Sequence, residues 1–110
     1  MIDIEKKLDT LEIEKRAFIN GEYVDAIDKN IINKVSPVDG RDISGLSACN
    51  YKDINYAVDI SLSTYKSRIW SDISPVEKQK IILKLADLVE ENIEELALLD
   101  TIETGRSLKN

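Results

Sequence analysis

Apolar residues keep a helical period at the two ends of the chain, with short clusters of β-forming residues between turn signals in the middle. Ile4, Leu8 and Leu11 fall at i, i+4 and i+7, and Asp3 with Lys7 is an i,i+4 pair. Residues 3–16 are therefore expected to form a lead-in helix. Its stripe is narrow, so it needs a body to lie on. Ala17-Phe18-Ile19-Asn20-Gly21-Glu22-Tyr23-Val24 then reads as a hairpin, because Asn-Gly supplies the two positive φ angles of a type I′ turn. After a polar connection over residues 25–30, residues 31–35 read as a strand. Ser36-Pro37-Val38-Asp39-Gly40 is a turn. Residues 42–48 return as a strand with Ile43 and Leu46 as its large apolar residues and a bulge signal at Gly45. The expected arrangement is a β-meander.

The second half is helical. Asn50 is the N-cap and Asp53 the N3 partner of a helix carrying Ile54, Ala57, Val58, Ser61, Leu62 and Tyr65 at helical spacing. A loop over residues 67–72 leads to Ser74-Pro75-Val76-Glu77, where Ser caps, Pro occupies N1 and Glu77 is placed to reach back. The helix behind it carries Ile81, Ile82, Leu85, Leu88 and Val89. Asn92-Ile93-Glu94-Glu95 resembles a second capping box, predicting a kink or a new helix with Leu96, Leu99 and Ile102, closed at Gly105.

Composition narrows the chemistry. The 110 residues include 15 Lys+Arg and 21 Asp+Glu, a net charge of −6, which disfavours a nucleic-acid backbone as partner. There is no His, which excludes an imidazole base or ligand, and the single Cys49 cannot form an internal disulfide. No apolar run approaches a membrane span, and the acidic start lacks a signal-peptide core, so a cytoplasmic setting is expected.

Cys49, just before a predicted helix, is the one thiol nucleophile candidate; a small half-buried residue at a strand end is the favoured reading. Glu90, Glu91, Glu94 and Glu95 place carboxylates on one helical face, yet no other ligand type converges, which favours a solvated face. Asp39-Gly40-Arg41-Asp42 lacks calcium-loop spacing and reads as a turn. Trp70 reads as a plug under its loop rather than an interface anchor. The four glycines are scattered and form no phosphate-binding motif.

The order and wording of these segments resemble the N-terminal stretch of the NAD(P)-dependent aldehyde dehydrogenase superfamily. The matching pieces are Phe18 to Val24, Val35 to Gly40, Asp53 to Val58, Trp70-Ser71 ahead of Ser74 to Lys78, Leu85 to Asn92, and Glu94 to Arg106. The resemblance implies an α/β fold: a β-meander followed by helices, resembling the start of a Rossmann-like cofactor-binding domain and incomplete as a domain. Residues 1–16 would be the lead-in helix and 17–110 the partial domain segment.

In the family a Cys thiolate attacks the aldehyde, hydride passes to the nicotinamide and a Glu-activated water releases the acid. Those groups lie in later segments, so the resemblance assigns no catalytic and no cofactor-binding residue here. Cys49 lacks the family's Gly-Gln-x-Cys context. The cofactor is NAD or NADP in the family, and neither is expected to bind this chain alone. A backbone monovalent-cation site found in some members maps onto Lys34, Val35 and Glu103. The expectation is an N-terminal segment of an aldehyde dehydrogenase, from a truncated or interrupted gene product or an excised piece. Such a segment would be inactive alone and partnered by the remainder of such a chain or by itself. The alternatives are a standalone helical interaction module and a fragment that complements a separate downstream chain.

Overall fold

A computed structural model of the protein describes residues 4–108. A short helix, four strands and three longer helices follow one another in the order the pattern predicts: α1 (Ile4–Thr10), β1 (Ala17–Ile19), β2 (Glu22–Val24), β3 (Ile31–Ile32), β4 (Leu46–Ser47), α2 (Tyr51–Ser67), α3 (Pro75–Glu91) and α4 (Ile93–Thr104).

The lead-in helix is shorter than the expected 3–16. It stops at Thr10, whose hydroxyl donates to the Lys6 and Lys7 carbonyls at 3.3 and 3.2 Å. Leu11-Glu12-Ile13-Glu14 then alternates apolar and charged, a strand period rather than a helical one. Leu11 and Ile13 accordingly turn to the core while Glu12 and Glu14 face water. The segment runs beside β4, where the Lys15 carbonyl accepts from the Ser47 N–H at 2.8 Å. Asp3 and the Ile4 side chain lie outside the described residues; Lys7 pairs with Glu94 of α4.

The β1–β2 hairpin forms in the register Ala17↔Val24, Phe18↔Tyr23, Ile19↔Glu22. Its turn residues Asn20 and Gly21 have φ of 59° and 78°, the left-handed pair that a type I′ turn requires. The second ladder pairs Ile31 with Ser47 and Ile32 with Leu46, and a bridge joins Val35 to Asp42. Between bridge and ladder the chain advances three residues on one side, Ile32 to Val35, but four on the other, Asp42 to Leu46. The extra residue is a bulge, and Gly45 sits in it. Among the described residues no pairing joins β2 to β3, so the strands make two separate hairpins rather than a continuous meander. The connection is diverted instead toward α2, where the Ile27 N–H donates to Asp53.

The buried apolar cluster is small. Leu8, Ile43, Leu98 and Ile102 form it, with Leu11, Ile13 and Leu108 packed against it. Thus α4 turns Leu98 and Ile102, an i,i+4 pair, inward and leaves Leu96 exposed, correcting the expected Leu96–Leu99–Ile102 face. The run Leu96-Ala97-Leu98-Leu99 is apolar all round, so its periodicity carries no phase. The break before α4 is real, but Asn92 makes no N-cap bond; its side-chain amide donates back to the Leu88 carbonyl at 2.8 Å and closes α3 instead.

Among the described residues no element covers the outward apolar stripes of α2 and α3. The accessible surface is 8636 Å², against about 6,100 Å² for a compact protein of 12.4 kDa. The radius of gyration is 17.6 Å, where about 13 Å is ordinary at this length. The molecule is a slab of 47 × 37 × 20 Å.

Candidate functional site

Two joints and one open surface carry the features that sequence reasoning singled out. The first joint fixes α2 to the loop after β2. Asn50 caps α2 by accepting from the Lys52 N–H, and Asp53 reaches back to the Asn50 N–H at 2.9 Å, completing the expected capping box. The other Asp53 oxygen accepts from the Ile27 N–H at 2.9 Å. Buried among these donors, Asp53 has its carboxyl held below the usual carboxylate range, first by the Asn50 N–H and then by that of Ile27. Asp28 joins the cluster, accepting from Lys52 Nζ at 2.8 Å and Asn50 Nδ2 at 2.7 Å, and its carboxyl is lowered for the same reasons in that order. Asp53's role as N3 residue was legible; its second partner, 26 residues away, was not.

The second joint ties the turn at residues 36–40 to the end of α4. Ser36 is 2% exposed, and its hydroxyl donates to the Ile102 carbonyl at 2.5 Å while accepting from the Val38 N–H at 3.2 Å. At Gly105, φ is 76°, the left-handed position that ends a helix, and its N–H bonds the Thr101 carbonyl. A Cβ there would sit 3.5 Å from the Pro37 ring. This joint draws the stretch containing Lys34 and Val35 to the turn of helix containing Glu103. Lys34 is half-buried, whereas Val35 and Glu103 are exposed. The Lys34 carbonyl already accepts from the Ile43 N–H at 2.9 Å and the Ser44 hydroxyl at 3.2 Å. Sequence reasoning missed buried Ser36; a Ser before Pro at a turn is a signal for such local bonding.

The remaining candidates stay apart. Cys49 follows β4 and is exposed rather than half-buried. Desolvation, then the charge of Asp53, pushes its thiol above the ordinary value, the reverse of what a nucleophile needs. Glu90, Glu91, Glu94 and Glu95 are all exposed, and among the described residues no cluster of three or more His, Cys, Asp or Glu is arranged for a metal ion. Asp39 is bonded by Arg41 in a plain turn. Trp70 is not a plug: it is 45% exposed, with Lys78 Nζ 5.7 Å from its ring centroid.

The open surface is the largest feature. Along α2, Asp53, Ala57 and Ile60 are the least exposed, while Tyr51, Ile54, Val58, Leu62 and Tyr65 form an outward stripe at 47–77% exposure. Apart from Ala57, the apolar face read from the sequence is thus the face turned out. α3 has no buried residue, and Ile81, Ile82, Leu85, Leu88 and Val89 are all exposed. Stripes of this extent mark surfaces made to be covered.

The described residues do not fit a dinucleotide. Each of the glycines lies in a turn, at a bulge or at a helix end, and the N-termini of α2 and α3 are filled by their own Asn50 and Ser74 caps.

Comparison with known proteins gives these features a setting. A family model described as the aldehyde dehydrogenase family matches residues 23–110. An NADP/NAD-dependent aldehyde dehydrogenase of Escherichia coli is 36% identical over 101 residues, covering 92% of this chain and 20% of that protein. An indole-3-acetaldehyde dehydrogenase in its apo form superposes with a TM-score of 0.93 at 38% identity, over 96% of this chain and 24% of that one. A betaine aldehyde dehydrogenase of Staphylococcus aureus, solved with NAD+, gives a TM-score of 0.87 at 26% identity over 96% and 21%. The chain spans about a fifth of the length of the Escherichia coli relative it matches.

Proposed function

Because the chain belongs to the aldehyde dehydrogenase family, we propose that it serves as the N-terminal part of the cofactor-binding domain of an enzyme oxidising an aldehyde to a carboxylic acid with NAD or NADP. The observation that carries the reading is the fit of nearly the whole chain onto about a fifth of such enzymes, with capped helices α2 and α3 whose apolar stripes have no cover among the described residues. Its part is architectural. The chain contributes a flank, and the thiol, the carboxylate base and the cofactor cradle come from the rest of the enzyme. Alone it turns over no aldehyde, and its partner is the remainder of such a chain, with self-association when that is withheld. A reducing, cytoplasmic setting fits the lone exposed Cys49.

The test is a pair of assays. The purified chain, given aldehydes with NAD+ or NADP+, is expected to produce no rise in reduced-cofactor absorbance. Co-expressed with a relative's chain lacking the corresponding segment, it is expected to restore that rise. Turnover by the chain alone contradicts the reading. The capped α2 and α3 with their exposed stripes also suit a standalone interaction module; a pull-down yielding one saturable partner outside the family would favour that alternative.

The cation reading for Lys34, Val35 and Glu103 is a proposal of the same standing. The Ser36–Ile102 bond supports it by holding the two stretches together. A carbonyl that already accepts two hydrogen bonds is a poor further ligand, so weak binding is expected unless Ser44 turns away. A melt shifted upward by sodium or potassium relative to choline, with the shift lost in Glu103→Gln, would support the site; an equal melt in all three salts would remove it.

A further inference from the structure

We draw no further inference here: the strongest candidate, the apolar stripe of Tyr51, Ile54, Val58, Leu62 and Tyr65 along α2, is an unpartnered helix face, and nothing in the structure shows what covers it beyond the reading already proposed.

Discussion

Asp53 joins the two halves of the molecule through one carboxylate, one oxygen on the cap of α2 and the other on the Ile27 amide. Its folded carboxyl lies below the ordinary value, as does that of Asp28. Groups shifted this way stabilise the fold above the unfolded carboxylate range and lose that contribution as pH falls through the folded value. The helical signal should therefore drop in an acid limb below about pH 4. Asp53→Asn should flatten that limb and weaken protection of the Ile27 amide at neutral pH; circular dichroism and amide exchange read the two effects. Cys49 gives a second residue-scale prediction. Its raised thiol should alkylate slowly at pH 7 and speed up well into the alkaline range; rapid modification at neutral pH would contradict the environment described. The Asp53 cap could be read from sequence because Asn50 and Asp53 are three residues apart. The Asp53–Ile27 and Ser36–Ile102 bonds could not, because no local spacing encodes a partner 26 or 66 residues away.

The elements divide into those packed by this chain and those waiting for a cover. In α4, Ile102 is 1% exposed within the core, so Ile102→Ala should destabilise by about 2–5 kcal/mol. Leu85 in α3 is 61% exposed, so Leu85→Ser should leave stability within about 0.5 kcal/mol and improve solubility. Denaturant titration of both variants separates the two cases; equal losses would mean that α3 is packed after all. Ser74 accepts from the Glu77 N–H at 3.2 Å, and Ser74→Ala should weaken α3 by about 0.5–2 kcal/mol, seen as lost helical signal. Glu77 pairs with Lys80 at 3.6 Å and does not reach back to the Ser74 N–H as expected, so the Ser cap is the feature to remove. The Asn50 and Ser74 caps and the Asn20-Gly21 turn were legible because they are local chemistry, whereas the Asn92 box expected on the same grounds does not form. The stripes on α2 and α3 were legible as apolar faces, but periodicity says that a face will be covered, not which polypeptide covers it. The α1 boundary was misplaced because Leu11 fits both the helical series Ile4, Leu8, Leu11 and the alternation Leu11, Ile13.

At the scale of the molecule, about 2,500 Å² of surface beyond that of a compact protein of this mass is exposed, as much as a large obligate interface buries. On the reading proposed above, that surface is the flank of a larger domain, held together locally by capped helices, two hairpins and a small cluster around Ile102. Such a flank should bind hydrophobic dyes and self-associate when alone, and lose both properties when the rest of the enzyme is supplied. The most direct test is calorimetry of the isolated chain at several concentrations. A complete domain of this length should absorb about 70–80 kcal/mol in one cooperative transition. A broad transition far below that value, dependent on concentration, is expected of a flank without its cover. A sharp, concentration-independent melt of a clean monomer with the full enthalpy would contradict it.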